Sequence, residues 1–351
     1  MKKILLSLAV VACSLLSFAQ TNPMVWNNGR MQCAQPITNI DSLTYSLPIV
    51  ESDTLQLILP RAVEVEQVKH VKVTLPKYDT TIVVQHDTIY SKPYTVYAGY
   101  AASAFSVSDS KKVAFSKGNL QYTQSTSTWA FAENQYDMIG ADNVSNSTLA
   151  DKIDLFGWST NNAATPWGIS TSTANADYLG DFVDWGKNIG DGNTWRTLSV
   201  DEWVYLFTSR TNAATLFGLG TVNGVKGTII LPDNWTCPTG VTFTPSTQKG
   251  LTYDATDSKY TNSNENNYSH NTYTLAKWRQ LEQTGAVFLP ATGCRFGTSI
   301  SALTTGAYWS SSTIYIYTSW AHHLVFDSKS LQPKSYMTPN YSMSVRLVKD
   351  L

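Results

Sequence analysis

The side chains that could do chemistry in this 351-residue chain are few and scattered. Its five histidines stand at His70, His86, His270, His322 and His323, and only the last two are neighbours. Adjacent residues of a strand point to opposite faces, so His322 and His323 make a poor pair of metal ligands. The cysteines, Cys13, Cys33, Cys237 and Cys294, form no CxxC pair and no cluster with histidine, which argues against a structural zinc site. No GxSxG segment offers a nucleophilic serine on a strand-to-helix turn. Glycosidase chemistry would need two carboxyl groups about 5–10 Å apart. Asp181, Asp184, Asp201 and Glu202 come nearest, yet Glu202 is better explained as a helix cap and the others as turn residues. The acidic loop 181–191 could offer oxygens to a hard cation, but EF-hand spacing is absent. The chain is read as a non-enzyme with no catalytic residue, no metal site and no cofactor.

The elements around these residues speak of a different kind of protein. Lys+Arg 25 against Asp+Glu 26 gives a net charge of −1, with none of the basic excess that nucleic-acid binding needs. Aromatic residues reach 12%, against about 8% in ordinary usage, amid abundant Ser, Thr, Asn and Gly. That mixture suits a β-rich extracellular protein. Residues 1–19 read as an export signal: Lys2 and Lys3, an apolar run over 4–12, and Ser17-Phe18-Ala19 before the cleavage point. A second reading stands beside it, in which Val10-Val11-Ala12-Cys13 is a lipobox and Cys13 tethers the protein to a membrane. Either reading takes the chain out of the cytoplasm, to the cell surface or beyond. There Cys237 and Cys294 could pair or stay as buried thiols.

Texture divides the remainder in two. Residues 20–97 hold one tryptophan, Trp26, and alternating runs such as Val63-Glu64-Val65-Glu66 and 68–73, broken by Pro60, Pro76 and Pro93. Period-two alternation of this kind reads as a β-rich region and stalk. From 98 to 351, ten tryptophans are interspersed with short strand-like runs at 112–115, 227–231, 286–289, 323–326 and 344–348. Ser199 with Glu202 three residues on is a capping box, and it predicts a helix over 199–207 with Trp203, Leu206 and Phe207 inward. A second helix is expected at 275–281. Few helices, short strands and long loops predict an α+β domain. Over 321–326, alternation sets His322, Leu324 and Phe326 on one face and His323 and Val325 on the other.

Several segments in order resemble a known family: KVAFSKGNLQY (112–122), WAFAENQYDMIG (129–140), IDLFGW (153–158), WRTLSVDEWVYLF (195–207), TIILPDNW (228–235), GAVFLPATG (285–293), YWSS (308–311) and SVRLV (344–348). Together they are similar to secreted Bacteroidetes proteins with the C-type-lectin-like fold, shared by formylglycine-generating enzymes, Fibrobacter-type paralogous surface domains and the variable proteins of diversity-generating retroelements. The resemblance implies a surface domain over 98–351 whose C-terminal strands and loops present a ligand site. Within 312–343 it points to Tyr315, Tyr317, Trp320, His323, Val325, Asp327, Lys329, Tyr336 and Tyr341, recognising an extracellular protein or glycan in the manner of an adhesin. In retroelement-linked members this stretch is diversified. The triplets at 41–43, 53–55, 79–81 and 87–89 resemble a Bacteroidetes O-glycosylation acceptor. The chain departs from the family's enzymes, whose closely placed cysteines it lacks, and from its calcium-binding lectins, whose Glu-Pro-Asn and Trp-Asn-Asp motifs are absent. The competing reading is a structural envelope or fimbrial component without a specific ligand.

Overall fold

The computed structural model describes residues 103–351 except 191–194, 263–266 and 315–316, and, before them, the backbone of five short strands. The side chains of residues 317 and 318 are not described. The expected export signal (1–19), Cys13 and the triplets at 53–55 and 87–89 lie outside the described residues. Two compact units divide the chain, Met1–Tyr94 and Thr95–Leu351. In the first, Met24–Asn27 pairs antiparallel with Arg30–Cys33. Val71–Leu75 runs between Leu43–Ser46, parallel to it, and Tyr78–Ile82, antiparallel. No described helix is long and apolar enough to cross a membrane.

The second unit mixes two α-helices with many short, mostly antiparallel strands in several sheets, and among the described residues none of these sheets closes into a barrel. β1 (Lys112–Phe115) exposes Lys112 and buries the next three residues. β2 (Trp195–Thr197) leads into α1 (Val200–Thr208). The expected capping box forms there: the Ser199 hydroxyl accepts from the Glu202 N–H at 3.2 Å, and the Glu202 carboxylate accepts from the Ser199 N–H at 2.8 Å. β3 (Phe217–Val222) turns into β4 (Val225–Ile230) through Asn223 and Gly224, both at positive φ, the two-residue turn whose twist matches paired strands. β5 (Thr252–Asp254), β6 (Lys259–Thr261), α2 (Leu275–Gln283) and β7 (Val287–Pro290) follow. β8 (Gly306–Ile314), β9 (Tyr317–Phe326) and β10 (Ser330–Met337) are the longest strands, and β11 (Leu347–Asp350) ends the chain.

β11 lies between β1 and β2, so both ends of the unit meet in one sheet. Thr272–Tyr273, β3, β4 and β7 make a second sheet, and β5-β6-β10-β9-β8 a third. α1 packs Trp203, Leu206 and Phe207 against Tyr308, Leu324, Phe326 and Leu331 of that third sheet. α2 closes another cluster with Trp278 and Leu281. A third cluster gathers Trp158, Trp185, Trp195 and Trp309. Trp158, Trp185, Trp203, Trp278 and Trp309 are fully buried, so the abundance of tryptophan is largely a matter of core packing.

The expected strand at 344–348 is shorter than its pattern suggested. Only Leu347–Asp350 is a strand, while Ser344 makes a lone parallel bridge to Tyr308. Val345, Arg346 and Leu347 are all buried, which a strand with one wet face does not permit. Arg346, 1% exposed, turns inward and donates to Asn119 Oδ1 (3.1 Å), Gln135 Oε1 (2.9 Å) and the Phe288 carbonyl (3.0 Å). Gln135 Oε1 also accepts from the Phe288 N–H, at 2.7 Å. Replacing Gln135 by leucine would take one acceptor from the buried Arg346 guanidinium and the acceptor of the buried Phe288 amide together. The expected loss is about 3 kcal/mol or more of unfolding free energy. Urea titration of the variant checks it; an unchanged midpoint would show that the network adds nothing.

Candidate functional site

The third sheet carries most of the residues singled out in the sequence. In β8 and β9, Tyr308 faces Leu324 and Trp309 faces His323, with a register shift beyond Trp309 towards the Ile314–Tyr317 end. In β9 and β10, His322 stands opposite Tyr336 and Ala321 opposite Met337. The alternation expected over 321–326 therefore holds: Leu324 and Phe326 enter the core under α1, and Ala321 enters the tryptophan-rich core. At the other end of the face carrying Leu324, Val200 N–H donates to the Ser312 hydroxyl at 3.1 Å and Ser311 N–H to the Leu198 carbonyl at 2.9 Å, fixing the start of α1 to β8. Trp320 and His322 continue that face toward the β8–β9 turn.

Two of the nine expected ligand residues meet there. The rings of Trp320 and Tyr336 lie 5.5 Å apart and nearly perpendicular, Trp320 half-buried and Tyr336 53% exposed. The Tyr315 residue and the Tyr317 side chain lie outside the described residues.

The others are placed differently. His323 is a correction: only 3% exposed, it packs edge-on against Trp309 with centroids 5.8 Å apart. Its strand face is covered by core, so it is a packing residue. Val325 is half-buried between Ala307 and Gln332. Asp327 closes the β9–β10 turn, accepting from the Lys329 N–H (2.8 Å) and the Ser330 hydroxyl (3.1 Å), and Lys329 projects from that turn. At about 3.3 Å per residue, this turn lies roughly 23 Å along β9 from Trp320. Tyr341 packs against Phe296, ring centroids 4.8 Å apart and planes tilted by 35°, in another small sheet. A single site holding all nine is therefore not formed.

The residue passed over in the sequence is His322. Its ring stands 6.3 Å from Tyr336, nearly perpendicular, and its Nδ1 lies 3.1 Å from the Ser335 carbonyl. Burial lowers its pKa, with Lys334 adding to that and Asp201 of α1 opposing it. The signal was present in the alternation, which put His322 and Trp320 on the same face.

Two of the four carboxylates weighed for catalysis, Asp184 and Glu202, are engaged structurally. Glu202 holds Arg196 through two bonds of 2.7 and 2.8 Å, and Arg196 also binds Asp350. Asp184 accepts from the Gly186 and Thr197 N–H groups, both at 2.9 Å. These residues line an open depression of about 660 Å³ with Lys111, Lys187 and Phe182. Cys237 and Cys294 are both free, so the pairing considered for them is not made. No group of three or more potential metal ligands is assembled among the described residues. Comparison with protein-family models, curated proteins and solved structures finds no match.

Buried His323 makes stability depend on pH. Burial holds its pKa at about 3, against 6.5 in the unfolded chain. A depressed pKa means that the unfolded state binds the proton first as pH falls. The contribution of neutral His323 is complete above pH 6.5 and declines below it, by about 1.4 kcal/mol per unit, until pH approaches 3. Urea midpoints between pH 7 and 5 should fall more steeply for the native protein than for His323→Phe. Parallel slopes would disprove this.

Proposed function

We propose that the protein is exported and displayed outside the cell, where it binds a protein or glycan through the β8–β9 end of a C-type-lectin-like domain. The observation that carries this reading is the Trp320–Tyr336 pair. Two large aromatic rings stand at a sheet's end where no described core covers Tyr336, on strands fixed by α1 and by two hydrophobic clusters. Rigid aromatic side chains give contact area at low entropic cost, the property that makes Tyr and Trp common in binding surfaces. The two-helix, short-stranded build and the pairing of both ends of the second unit through β1 and β11 are compatible with the C-type-lectin-like reading. Residues 20–97 would then act as the stalk. The engagement of Asp184 and Glu202 in caps and ion pairs favours binding over turnover.

The test is binding of the full chain to a panel of immobilised mucins, extracellular-matrix proteins and free glycans. Trp320→Ala and Tyr336→Ala should each weaken the best interaction at least tenfold while the melting temperature moves by no more than about 2 °C. Unimpaired binding by both variants would shift the reading to a structural envelope component.

A further inference from the structure

The imidazole beside the aromatic pair gives the site a definite polarity. A carbonyl oxygen only accepts hydrogen bonds, so the Ser335 carbonyl 3.1 Å from His322 Nδ1 requires the proton on Nδ1. Nε2 then carries the lone pair and is an acceptor. His322 as a whole is only 9% exposed; its Nε2 has no partner among the described residues and is not among the polar atoms fully sealed from solvent. The result is one acceptor of fixed direction on the sheet face that carries Trp320, with Tyr336 across the strand pair.

Charges facing this imidazole come from two elements and oppose each other: Lys334 on β10 and Asp201 on α1. Tyr336 faces it from β10 as well, and His323, next on β9, turns its ring to the other side of the sheet against Trp309. No net charge is offered to a ligand. The described recognition surface is also small. Two aromatic side chains supply no more than about 150–250 Å² each, well short of the roughly 800 Å² per partner of a stable protein interface.

Resting on the binding role proposed above, we infer that the ligand unit taken here is a neutral pyranose, its C–H face laid on Trp320 or Tyr336 and one hydroxyl donating to His322 Nε2. The ring hydrogens of a pyranose match the negative face of an aromatic ring, and its hydroxyls can donate to a neutral imidazole acceptor such as Nε2. A carboxylate placed at Nε2 would bring an acceptor to an acceptor, and the opposed charges of Lys334 and Asp201 leave no net positive charge to hold it. His322 is thus a specificity residue. Protonating it turns Nε2 from acceptor into donor, so binding weakens as pH falls through its titration.

The experiment follows the histidine side-chain nitrogens of the full chain by long-range ¹H–¹⁵N NMR during titration with methyl mannoside, galactoside, glucoside and N-acetylglucosaminide, with methyl glucuronide as the acidic probe. The His322→Phe and His322→Gln variants assign the signal. At least one neutral pyranoside should shift Nε2 saturably. Its affinity should drop at least tenfold in His322→Phe, with the fold retained by near-ultraviolet circular dichroism, and should drop on acidification. If His322→Phe does not fold, His322→Gln takes its place, with a smaller loss because its amide oxygen still accepts. No saturable shift with any neutral pyranoside, equal affinity in the His322 variants, or tighter binding of the glucuronide would each overturn the inference. Should the pyranosides fail while Tyr336→Ala still loses a partner from the protein and mucin panel, the inference falls and the binding role stands. Should Tyr336→Ala and Trp320→Ala lose nothing, both fall.

Discussion

The second unit is organised around one buried guanidinium. Arg346 lies where the sheets converge, and its acceptors come from three distant segments: Asn119, Gln135 and Phe288. Asn119 passes the network on to the Tyr308 hydroxyl at 3.1 Å, and Tyr308 donates to the Pro290 carbonyl at 2.7 Å. Gln135 reaches Glu282 on α2 and the Ala286 carbonyl, both at 3.0 Å. Burial raises the pKa of Glu282 and lowers that of Arg346 to about 10, so both groups feel the loss of water. A charge this deep needs acceptors brought to it, and Arg346 has three while its Nε–H stays unpaired. That requirement sets where 119, 135 and 288 must sit, and with them the strands that carry Tyr308 and β7.

A second set of polar contacts ties the C-terminal strand to α1 and, through it, to β8. Arg196 on β2 bridges Glu202 of α1 and Asp350 of β11. Because Glu202 is also the capping residue, the helix start, the chain terminus and β2 are joined at one side chain. α1 in turn is bonded to Ser312, a few residues before the β8–β9 turn. The Trp320–His322–Tyr336 cluster is therefore held by elements whose positions are fixed from the core outward.

Aromatic residues serve two ends in this chain, and burial separates them. Trp309 and His323 pair across β8 and β9 inside a core, while Trp320 and Tyr336 pair across β9 and β10 at its edge. The types are nearly the same in both pairs. What differs is the strand face and the distance from the region covered by α1 and the tryptophan cluster.

Local chemistry was legible in the sequence. Ser199 and Glu202 announced α1, because a capping box is satisfied within four residues, and the inward face of that helix followed from the spacing of Trp203, Leu206 and Phe207. The split of His322 from His323 followed from the two-residue period of a strand, which depends on backbone geometry alone. The sequence could not say that both faces would be covered. That depended on α1 and the tryptophan cluster packing from opposite sides, a matter of residues more than a hundred positions away. So His323, expected to meet a ligand, is core at 3% exposed, and His322, itself 9% exposed, stands beside the aromatic pair. Asp327 and Lys329 share the segment of Trp320 but lie a strand's length from it, since neighbours in a composition-rich stretch are far apart once extended. Arg346 shows the same limit: its pattern read as strand, and only the acceptors brought from 119, 135 and 288 turned it into the centre of the fold.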